Sequence, residues 1–487
     1  MGAFICQISE KDWNVSRTKG VYGNREKKPD FTGSLRDCDL MSVIRDLVSI
    51  NNGDIIFFHI VKKETDEDSS IHGVYQARSQ AFYESNKIWD NDDENFPFRF
   101  LFEPHPTYSN LCSNDSHIYV SDLYREIESR KIWSIATLEN ERNMERRAVR
   151  KISMDDAKSI TELLLRDYKK GNLVNFTPYN PASPIPIENK IIKVNSIENS
   201  VKAIFLSKLK SRDPVLNNIF GNVIDYMNET FVAQTTRKLI DLLCISKIEN
   251  GRIYYIIEAK SGVVTFNEEH LKQLLTYLDL FKQKSLVDPM RDRIIGGIMF
   301  NKCSDLVRYA INQLNEMKIF DGIKCINFSW DHNSNVHFGE SYEIQDLFHI
   351  NIPSVKINAI GQFNDFNEIL GEEVSSFTYN NMVNSITPEI TQIKENMTDE
   401  SNNWRFHTRS FFIKKHDVEI DTSKLFRFIE ELKEFVGREY SYDYMKVIPV
   451  IIAPSFSEDV IKKISVYNYY LSRPLVRLYS YSISNRL

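Results

Sequence analysis

Several features that mark common protein classes are missing from this chain of 487 residues. Its six cysteines are scattered and form no Cys-x-x-Cys pair, so neither a structural zinc site nor a secreted disulfide framework is expected. No apolar run reaches the roughly 18 residues that a membrane-spanning helix needs. The N-terminal residues lack the basic stretch and long apolar core of a signal peptide. We therefore expect a cytoplasmic protein with no membrane partner.

A large excess of basic residues is also missing. The net charge is -6 at pH 7, which excludes a uniformly basic nucleic-acid coat and requires any nucleic-acid contact to use local basic patches. The chain is too long for one core of ordinary size, so about two to four domains are expected.

Changes in composition divide the chain into five segments. Residues 1–168 mix strand-like apolar runs with helical spacing, and residues 169–192 contain several prolines and little periodicity, which indicates a linker. Residues 193–330 alternate helices and strands. Residues 331–384 are rich in Asn and Ser and are expected to connect to an α/β unit at 385–487. The fold class predicted is a multidomain mixture of α+β and α/β.

The most informative stretch is KLIDLLCISKIENGRIYYIIEAKSG. Asn250-Gly251 between two β-rich runs predicts a hairpin with a two-residue turn, in which Asp241 faces Lys260. Glu258 lies two residues before Lys260 and therefore shares its strand face. The hairpin thus gathers Asp241, Glu258 and Lys260. A register shift of two residues would keep this result, whereas a one-residue bulge would break it.

Two carboxylates on one strand face repel each other unless a cation lies between them. Oxygen ligands of this kind suit Mg²⁺ or Mn²⁺, so Asp241 and Glu258 are candidate metal ligands. A bound ion would polarise a scissile phosphate and lower the pKa of an attacking water, and Lys260 would stabilise the developing charge or orient that water. The pattern indicates phosphodiester hydrolysis. The alternative is a structural Asp241–Lys260 pair with an exposed Glu258.

Gln273 and Tyr277 lie four residues apart on the next helix and therefore share one face. Together with the hairpin from Asp241 to Lys260, they resemble the PD-(D/E)XK nuclease superfamily in its RecB-like branch, over residues 193–330. The resemblance implies a central mixed sheet with flanking helices and a divalent metal at the two carboxylates. It makes five residues candidate catalytic groups: Asp241, Glu258, Lys260, Gln273 and Tyr277.

The resemblance also implies roles for Gln273 and Tyr277 and for a Glu of the first helix. Gln273 and Tyr277 would line the active-site face and touch DNA or the attacking water. The family often adds a Glu from the first helix, and Glu198 is the matching candidate for a third metal ligand. The alternative for Glu198 is a solvated side chain, since helices commonly begin with Glu.

Residues 4–104 resemble the EVE domain of the PUA/YTH-like superfold. The matching features are Trp13-Asn14 near the start, a Gly-Asp turn before the strand DIIFFHI, an Ile-x-Gly strand leading to Trp89, and the stretch FPFRF. The resemblance implies a small β-barrel that holds a flipped base, often a modified one, between aromatic rings and polar groups.

The candidate residues of such a pocket are Trp13, Tyr22 and Trp89 for stacking and Asn14 and Ser79 for reading the base edge. Ordinary core packing is the alternative for each ring.

The basic run ERRAVRKI offers three candidate phosphate-binding residues, Arg146, Arg147 and Arg150. The alternative for this run is a solvated helix face or strand edge.

The two resemblances together predict a modification-dependent DNA endonuclease of restriction or defence type. The N-terminal unit would bind a modified base of double-stranded DNA while the central unit cuts nearby. Because two strands need two active sites, a homodimer is expected. The alternatives are a repair or RNA-directed nuclease and a non-catalytic nucleic-acid-binding protein with a relic nuclease fold.

The C-terminal unit repeats the helix–strand–helix–strand order of residues 270–330. A degenerate internal duplication would produce this pattern, although any α/β unit can share it. Such a copy would be inactive, because its strand FFIKK has no carboxylate in the place of Glu258. Its helix is expected to place Lys424 and Phe428 where the central unit has Gln273 and Tyr277. An inactive copy would serve dimerisation or DNA clamping.

Overall fold

The computed structural model describes the chain except for residues 27–33, 62–68, 90–95, 114, 130, 136–147, 170, 172, 174, 233–237, 285, 342–351, 362–389, 394–408, 472 and 483–487. Its described part is a mixed α/β protein with ten α-helices and several sheets. No described helix is both long and apolar enough to cross a membrane. All six cysteines are free.

The N-terminal unit is built on a nine-stranded sheet that curls into a half-barrel. Its strands are β1 Ala3–Ser9, β2 Val21–Asn24, β3 Ile55–Val61, β4 Ser70–Ala77, β5 Phe82–Tyr83, β6 Phe98–Pro104, β7 His117–Tyr119, β8 Val149–Ile152 and β9 Ile185–Pro186. Their order is β8-β1-β3-β4-β6-β5-β9, with β2 on β6 and β7 on β4. The helices are α1 Glu10–Lys19, α2 Ser34–Leu47, α3 Val120–Glu128 and α4 Met154–Arg166.

The segment predicted to be a linker, residues 169–192, is packed on this sheet. Its strand β9 pairs with β5, and the Tyr179 hydroxyl donates a 2.6 Å hydrogen bond to Glu84. Ile187, just after β9, is fully buried. The segment is therefore a strap fixed to the N-terminal unit. Its prolines interrupt periodicity, but they do not prevent side chains from packing.

The central unit contains a six-stranded sheet in the order β10-β11-β12-β14-β16-β17. Its elements are α5 Glu198–Lys210, α6 Pro214–Phe220, β10 Val223–Phe231, β11 Leu239–Ile248, β12 Gly251–Ala259, β13 Thr265–Phe266, α7 Glu268–Lys282, β14 Arg293–Phe300, β15 Lys302–Cys303, α8 Asp305–Glu316, β16 Ile323–Trp330 and β17 Val336–Glu340. The pairs β12/β14 and β14/β16 are parallel, and the others are antiparallel. The sheet extends beyond residue 330, the end expected from the sequence.

The turn of the β11–β12 hairpin differs from the prediction. Ile248 pairs with Gly251, so the turn residues are Glu249 and Asn250 instead of Asn250 and Gly251. A side chain at Gly251 would place its Cβ only 2.2 Å from the backbone oxygen of Arg291. Gly251 is therefore needed for close approach to the neighbouring loop, which outweighs the local turn preference.

The register of the hairpin is shifted accordingly. Extending the observed ladder by one residue sets Asp241 across from Glu258, not across from Lys260 as predicted. The shift is two residues, so each side chain stays on the predicted face.

Both faces of the central sheet are covered. On one face, alternate residues pack against α7 and α8: Leu243, Ile245, Tyr254 and Ile256. On the other face, the intervening residues join a core that also contains α5, α6 and the N-terminal helix α2: Leu242, Cys244, Tyr255 and Ile257. The N-terminal and central units thus share one core. Asp241 and Glu258 are an even number of residues away from the side chains on the α7 face of their strands, so they lie on that face too.

The C-terminal unit has a five-stranded sheet in the order β18-β22-β21-β20-β19. Its elements are β18 Ile357–Ile360, β19 Ile390–Ile393, β20 Arg409–Lys415, α9 Thr422–Tyr440, β21 Val447–Ala453, α10 Glu458–Tyr470 and β22 Arg477–Tyr481. Only β19/β20 is antiparallel. Strands β17 and β18 both lie in the stretch at 331–384 that was expected to connect the two units.

The central and C-terminal sheets share a core of four strands, although their remaining strands differ in number and direction. In each, an antiparallel pair (β11/β12 or β19/β20) is followed by two parallel strands, each reached through a helix. Each also has a small parallel contact outside the main sheet, β13 with β15 and Ile420 with Phe456. The helices α7, α8, α9 and α10 pack together in one core between the two sheets.

Candidate active site

The hairpin brings together the three residues predicted to meet at its open end. Glu258, near the end of β12, is only 1% exposed. The Lys260 ammonium lies 2.5 Å from Glu258 Oε1, and Asp241 Oδ2 accepts a 2.8 Å hydrogen bond from the Ala259 N–H. The strand ends therefore fix both carboxylates through backbone geometry, as expected from strand alternation.

Helix α7 places Gln273 and Tyr277 over the same sheet face. Its start is fixed by a capping box between Asn267 and His270. The Gln273 amide donates a 2.7 Å hydrogen bond to the Tyr277 hydroxyl, and Tyr277 is nearly buried. Burial and the nearby Glu258 carboxylate raise the pKa of Tyr277 to about 12, so its hydroxyl keeps its proton at neutral pH.

Lys202 of α5 was not among the sequence candidates, although it is the cation nearest to Asp241. Its side chain is 3% exposed, and its ammonium lies 2.5 Å from Asp241, 2.8 Å from Glu198 and 3.0 Å from Glu229. Burial by itself would lower the pKa of Lys202, but Asp241 and the other carboxylates outweigh it and raise the pKa. Lys202 is therefore a permanent buried charge. Glu198, the predicted third metal ligand, is joined to the site through its ion pair with Lys202.

A second buried cation links the N-terminal unit to this cluster. Arg45 of α2 lies 2.8 Å from Glu229 and 3.0 Å from Asp46, and it donates a 2.7 Å hydrogen bond to Asn199. Glu229 has a φ of 50°, a left-handed conformation that is uncommon for a side chain other than glycine. A chain of contacts thus runs from Arg45 through Glu229 and Lys202 to Asp241.

The sequence contains a weak indication of this cluster. Glu198 and Lys202 are four residues apart in an otherwise apolar helix, a spacing that favours an ion pair. Nothing in the local sequence indicates the contact of Arg45 with Glu229, because it depends on how α2 packs against β10.

Glu258 has an unusual environment for a carboxylate. Its Oε2 is buried and has no hydrogen-bond partner among the described residues. Burial and the facing Asp241 raise the pKa of Glu258 to about 8, although Lys260 opposes this shift. For Asp241, burial would raise the pKa, but Lys202 and Lys260 lower it below its ordinary value. Near neutral pH the pair thus favours one charged and one protonated carboxylate.

The carboxylates fit a divalent cation by the chemistry of their donors. Glu258 Oε2 is a free buried oxygen opposite Asp241, and such an oxygen is costly without a partner. The described residues contain no ready-made group of three His, Cys, Asp or Glu side chains that could hold a metal. An ion at Asp241 and Glu258 would therefore complete its shell with water or substrate oxygens, as Mg²⁺ commonly does.

The three rings proposed to stack on a base are all buried in packed clusters. Trp13 packs on Phe58 at 4.8 Å between ring centroids, and the Tyr22 hydroxyl donates to the backbone oxygen of Gln7. Trp89 donates a 3.1 Å hydrogen bond to Ser16 in a separate cluster. These are positions of core residues, so the base-binding roles stay predictions. The Trp13 indole N–H is buried and finds no acceptor within the described residues.

Asn14 and Ser79, the polar candidates of the N-terminal unit, each form a hydrogen bond within that unit. Asn14 is exposed and accepts a hydrogen bond from Arg17, whereas the Ser79 hydroxyl accepts one from the Leu101 N–H. Arg150 lies in β8 and is partly buried. Arg146 and Arg147 lie outside the described residues.

Comparison with known proteins adds no family to this geometry. No protein-family model matches the chain, and no curated protein matches it.

Proposed function

We propose that this protein is a divalent-metal-dependent DNA endonuclease that cuts only DNA carrying a modified base. The observation that carries the proposal is the buried Oε2 of Glu258, which has no hydrogen-bond partner in the described part of the chain and lies opposite Asp241 and beside Lys260. The order of α5, the hairpin and α7 supports a PD-(D/E)XK-like sheet, with Gln273 and Tyr277 on the face that such a nuclease uses.

The chain's own residues have distinct roles in this proposal. Asp241 and Glu258 would hold the cation, which when bound supplies positive charge to the phosphate and the attacking water. Lys260 stabilises the negative charge that develops on the phosphate. Gln273 and Tyr277 donate hydrogen bonds that orient the substrate. In the reaction, water oxygen bonds to phosphorus, one ester P–O bond breaks, and the departing oxygen receives a proton.

The proposal that the N-terminal unit binds the modified base rests on fewer observations. Its half-barrel sheet supports a PUA-like assignment, and the unsatisfied Trp13 N–H offers one donor for a ligand. The contact from Arg45 to Glu229 joins this unit to the carboxylate cluster. Binding of a base by the N-terminal unit would therefore bear on the cutting site through a rigid, shared core.

A non-catalytic nucleic-acid-binding protein is the second candidate. It is favoured by Lys202 and Lys260, whose ammonium groups lie within ion-pair distance of Asp241 and Glu258 and could take the place of a metal.

The test is digestion of matched DNA duplexes that carry unmodified bases, 5-methylcytosine, 5-hydroxymethylcytosine or N6-methyladenine, with Mg²⁺ or Mn²⁺. We expect cleavage of a modified duplex, with loss of cleavage on chelation and in Glu258→Gln. Glu249→Gln, at the exposed turn of the same hairpin, is the matched control and should cut normally. Equal cutting of all duplexes would refute modification dependence. Binding without cutting would establish the second candidate.

A further inference from the structure

The active end of the central sheet has a counterpart in the C-terminal sheet. The N–H of Lys260 donates to the backbone oxygen of the parallel neighbour β14, and the N–H of His416 donates to that of β21 in the same way. Two residues earlier, Glu258 and Lys414 occupy the matching positions of the two ladders. The C-terminal unit therefore has Lys414 where the central unit has its buried carboxylate.

The helices correspond in the same way. Asn267 caps α7 and Asp421 caps α9, and each cap accepts from the backbone N–H three residues later. Counted from these caps, Arg427 takes the place of Gln273, and Glu431 takes the place of Tyr277. Lys424 and Phe428, the residues expected there from the sequence, lie one turn earlier in the helix.

The groups at these positions form ion pairs with one another. Lys414 lies 3.0 Å from Glu431, and Arg427 lies 3.2 Å from the same carboxylate. Lysine and arginine have no oxygen that could ligate a cation. The counterpart of Asp241 lies outside the described residues. Without a carboxylate in the place of Glu258, the C-terminal unit lacks the acceptor on which the proposed chemistry depends.

The two units are joined by buried polar contacts as well as by their common core. Lys463 of α10 is 3% exposed and lies 2.6 Å from Glu316 of α8. Arg473, after α10, is also buried and forms two hydrogen bonds with Asp279 of α7. Buried charges of this kind are stable only while both partners are present, so the two units form one body.

We infer that the C-terminal unit is an inactive counterpart of the nuclease unit that occupies the place of a second subunit, so that one chain cuts one DNA strand per binding event. The inference rests on the proposed function. It replaces the homodimer expected from the sequence, because the helical face of the nuclease unit is already covered by α10. Each event hydrolyses one phosphodiester bond, so the product from supercoiled DNA is an open circle.

The test is a time course on whichever supercoiled plasmid preparation, modified or unmodified, the protein cuts fastest. We expect nearly all of the plasmid to become open circle before linear DNA forms, with an initial rate proportional to protein concentration. Light scattering should give the mass of one chain, 57.0 kDa, with or without Mg²⁺. Linear product from the first time points, with a doubled mass, would overturn the inference alone. Absence of any cutting would overturn the proposed function with it.

A mixing experiment separates the two arrangements further. When wild-type protein is diluted with an equal amount of Glu258→Gln, a one-chain enzyme should cut at half the rate and give the same product. A two-chain enzyme would change its product from linear DNA to open circle, which contradicts the inference. As the matched control, Lys414→Gln should leave the product and rate unchanged, and loss of cutting in a folded variant would show a second working site.

Discussion

The central and C-terminal sheets offer a comparison within one molecule. Both contain an antiparallel strand pair followed by two parallel strands, each reached through a helix, yet one has Glu258 facing Asp241 where the other has Lys414 paired with Glu431. The first arrangement has a buried carboxylate oxygen with no hydrogen-bond partner among the described residues, whereas in the second the Glu431 carboxylate pairs with both Lys414 and Arg427. The difference teaches that topology supplies the positions, whereas a few side chains decide whether those positions can act chemically.

The largest expected effect is the difference in cleavage rate between substitutions at Glu258 and at Lys414. Glu258→Gln should lower the cleavage rate by on the order of 10³-fold, because it removes charge that the proposed cation requires. Lys414→Gln, at the matching position, should change the rate by less than about twofold. Initial rates on one duplex measure both. Similar losses in the two variants would contradict the assignment of the active unit.

The next effect compares two buried lysines, Lys202 at the site and Lys463 at the interface of the units. Changing Lys202 to Met should destabilise the metal-free protein by about 3–5 kcal/mol, because Asp241 and Glu229 lose their buried partner. Changing Lys463 to Met should cost less, because its partners Glu316 and Asp459 are about half exposed. Only Lys202→Met should be rescued by Mg²⁺, since its stranded carboxylates include Asp241. Urea unfolding with and without Mg²⁺ gives the answer, and equal responses of both variants would refute it.

A smaller effect is expected at Arg45, which joins the N-terminal unit to the cluster. Arg45→Gln should cost about 1.5–3 kcal/mol through lost charged hydrogen bonds. If Arg45 positions Glu229 and Lys202, then kcat should fall while KM for DNA changes little, and Arg45→Lys should recover part of kcat. A change confined to stability would show a purely structural role.

The smallest expected effect is that the stability contributions of Glu258 and Glu431 change with pH in opposite directions. Glu258 has a raised pKa of about 8, so the stability it contributes is complete below its unfolded value of 4.5 and is lost as pH rises through about 8. For Glu431, burial opposes the shift, but Lys414 and Arg427 lower the pKa, so its contribution is present above 4.5 and is lost as pH falls.

Thermal unfolding of the metal-free variants checks both signs. Glu258→Gln should flatten the decline of melting temperature between about pH 5 and 8, and Glu431→Gln should flatten the decline on the acid side. Matching slopes in the two variants would show that the two sites have the same electrostatic character.

Much of the candidate site could be predicted because strand alternation depends only on sequence parity. Asp241 and Glu258 share a face whether the turn lies at 249–250 or 250–251, and Gln273 and Tyr277 share a helix face by spacing alone. The turn itself could not be predicted, since Gly251 is held by its approach to the Arg291 backbone, which lies in another loop. The preference for Asn-Gly at the turn is weak compared with the steric clash that any side chain at residue 251 would make with that backbone.

The sequence by itself determined the helix–strand order that follows the hairpin, the common face of Asp241 and Glu258, and the lack of a carboxylate in FFIKK. These follow from periodicity and residue type, which are local properties. Only the tertiary structure decided that Lys202 and Arg45 surround the candidate site, that the rings of Trp13, Tyr22 and Trp89 are buried, and that α10 packs on the central unit. Those outcomes depend on which distant surfaces pack together, and burial rather than sequence spacing sets the energy of each charge there.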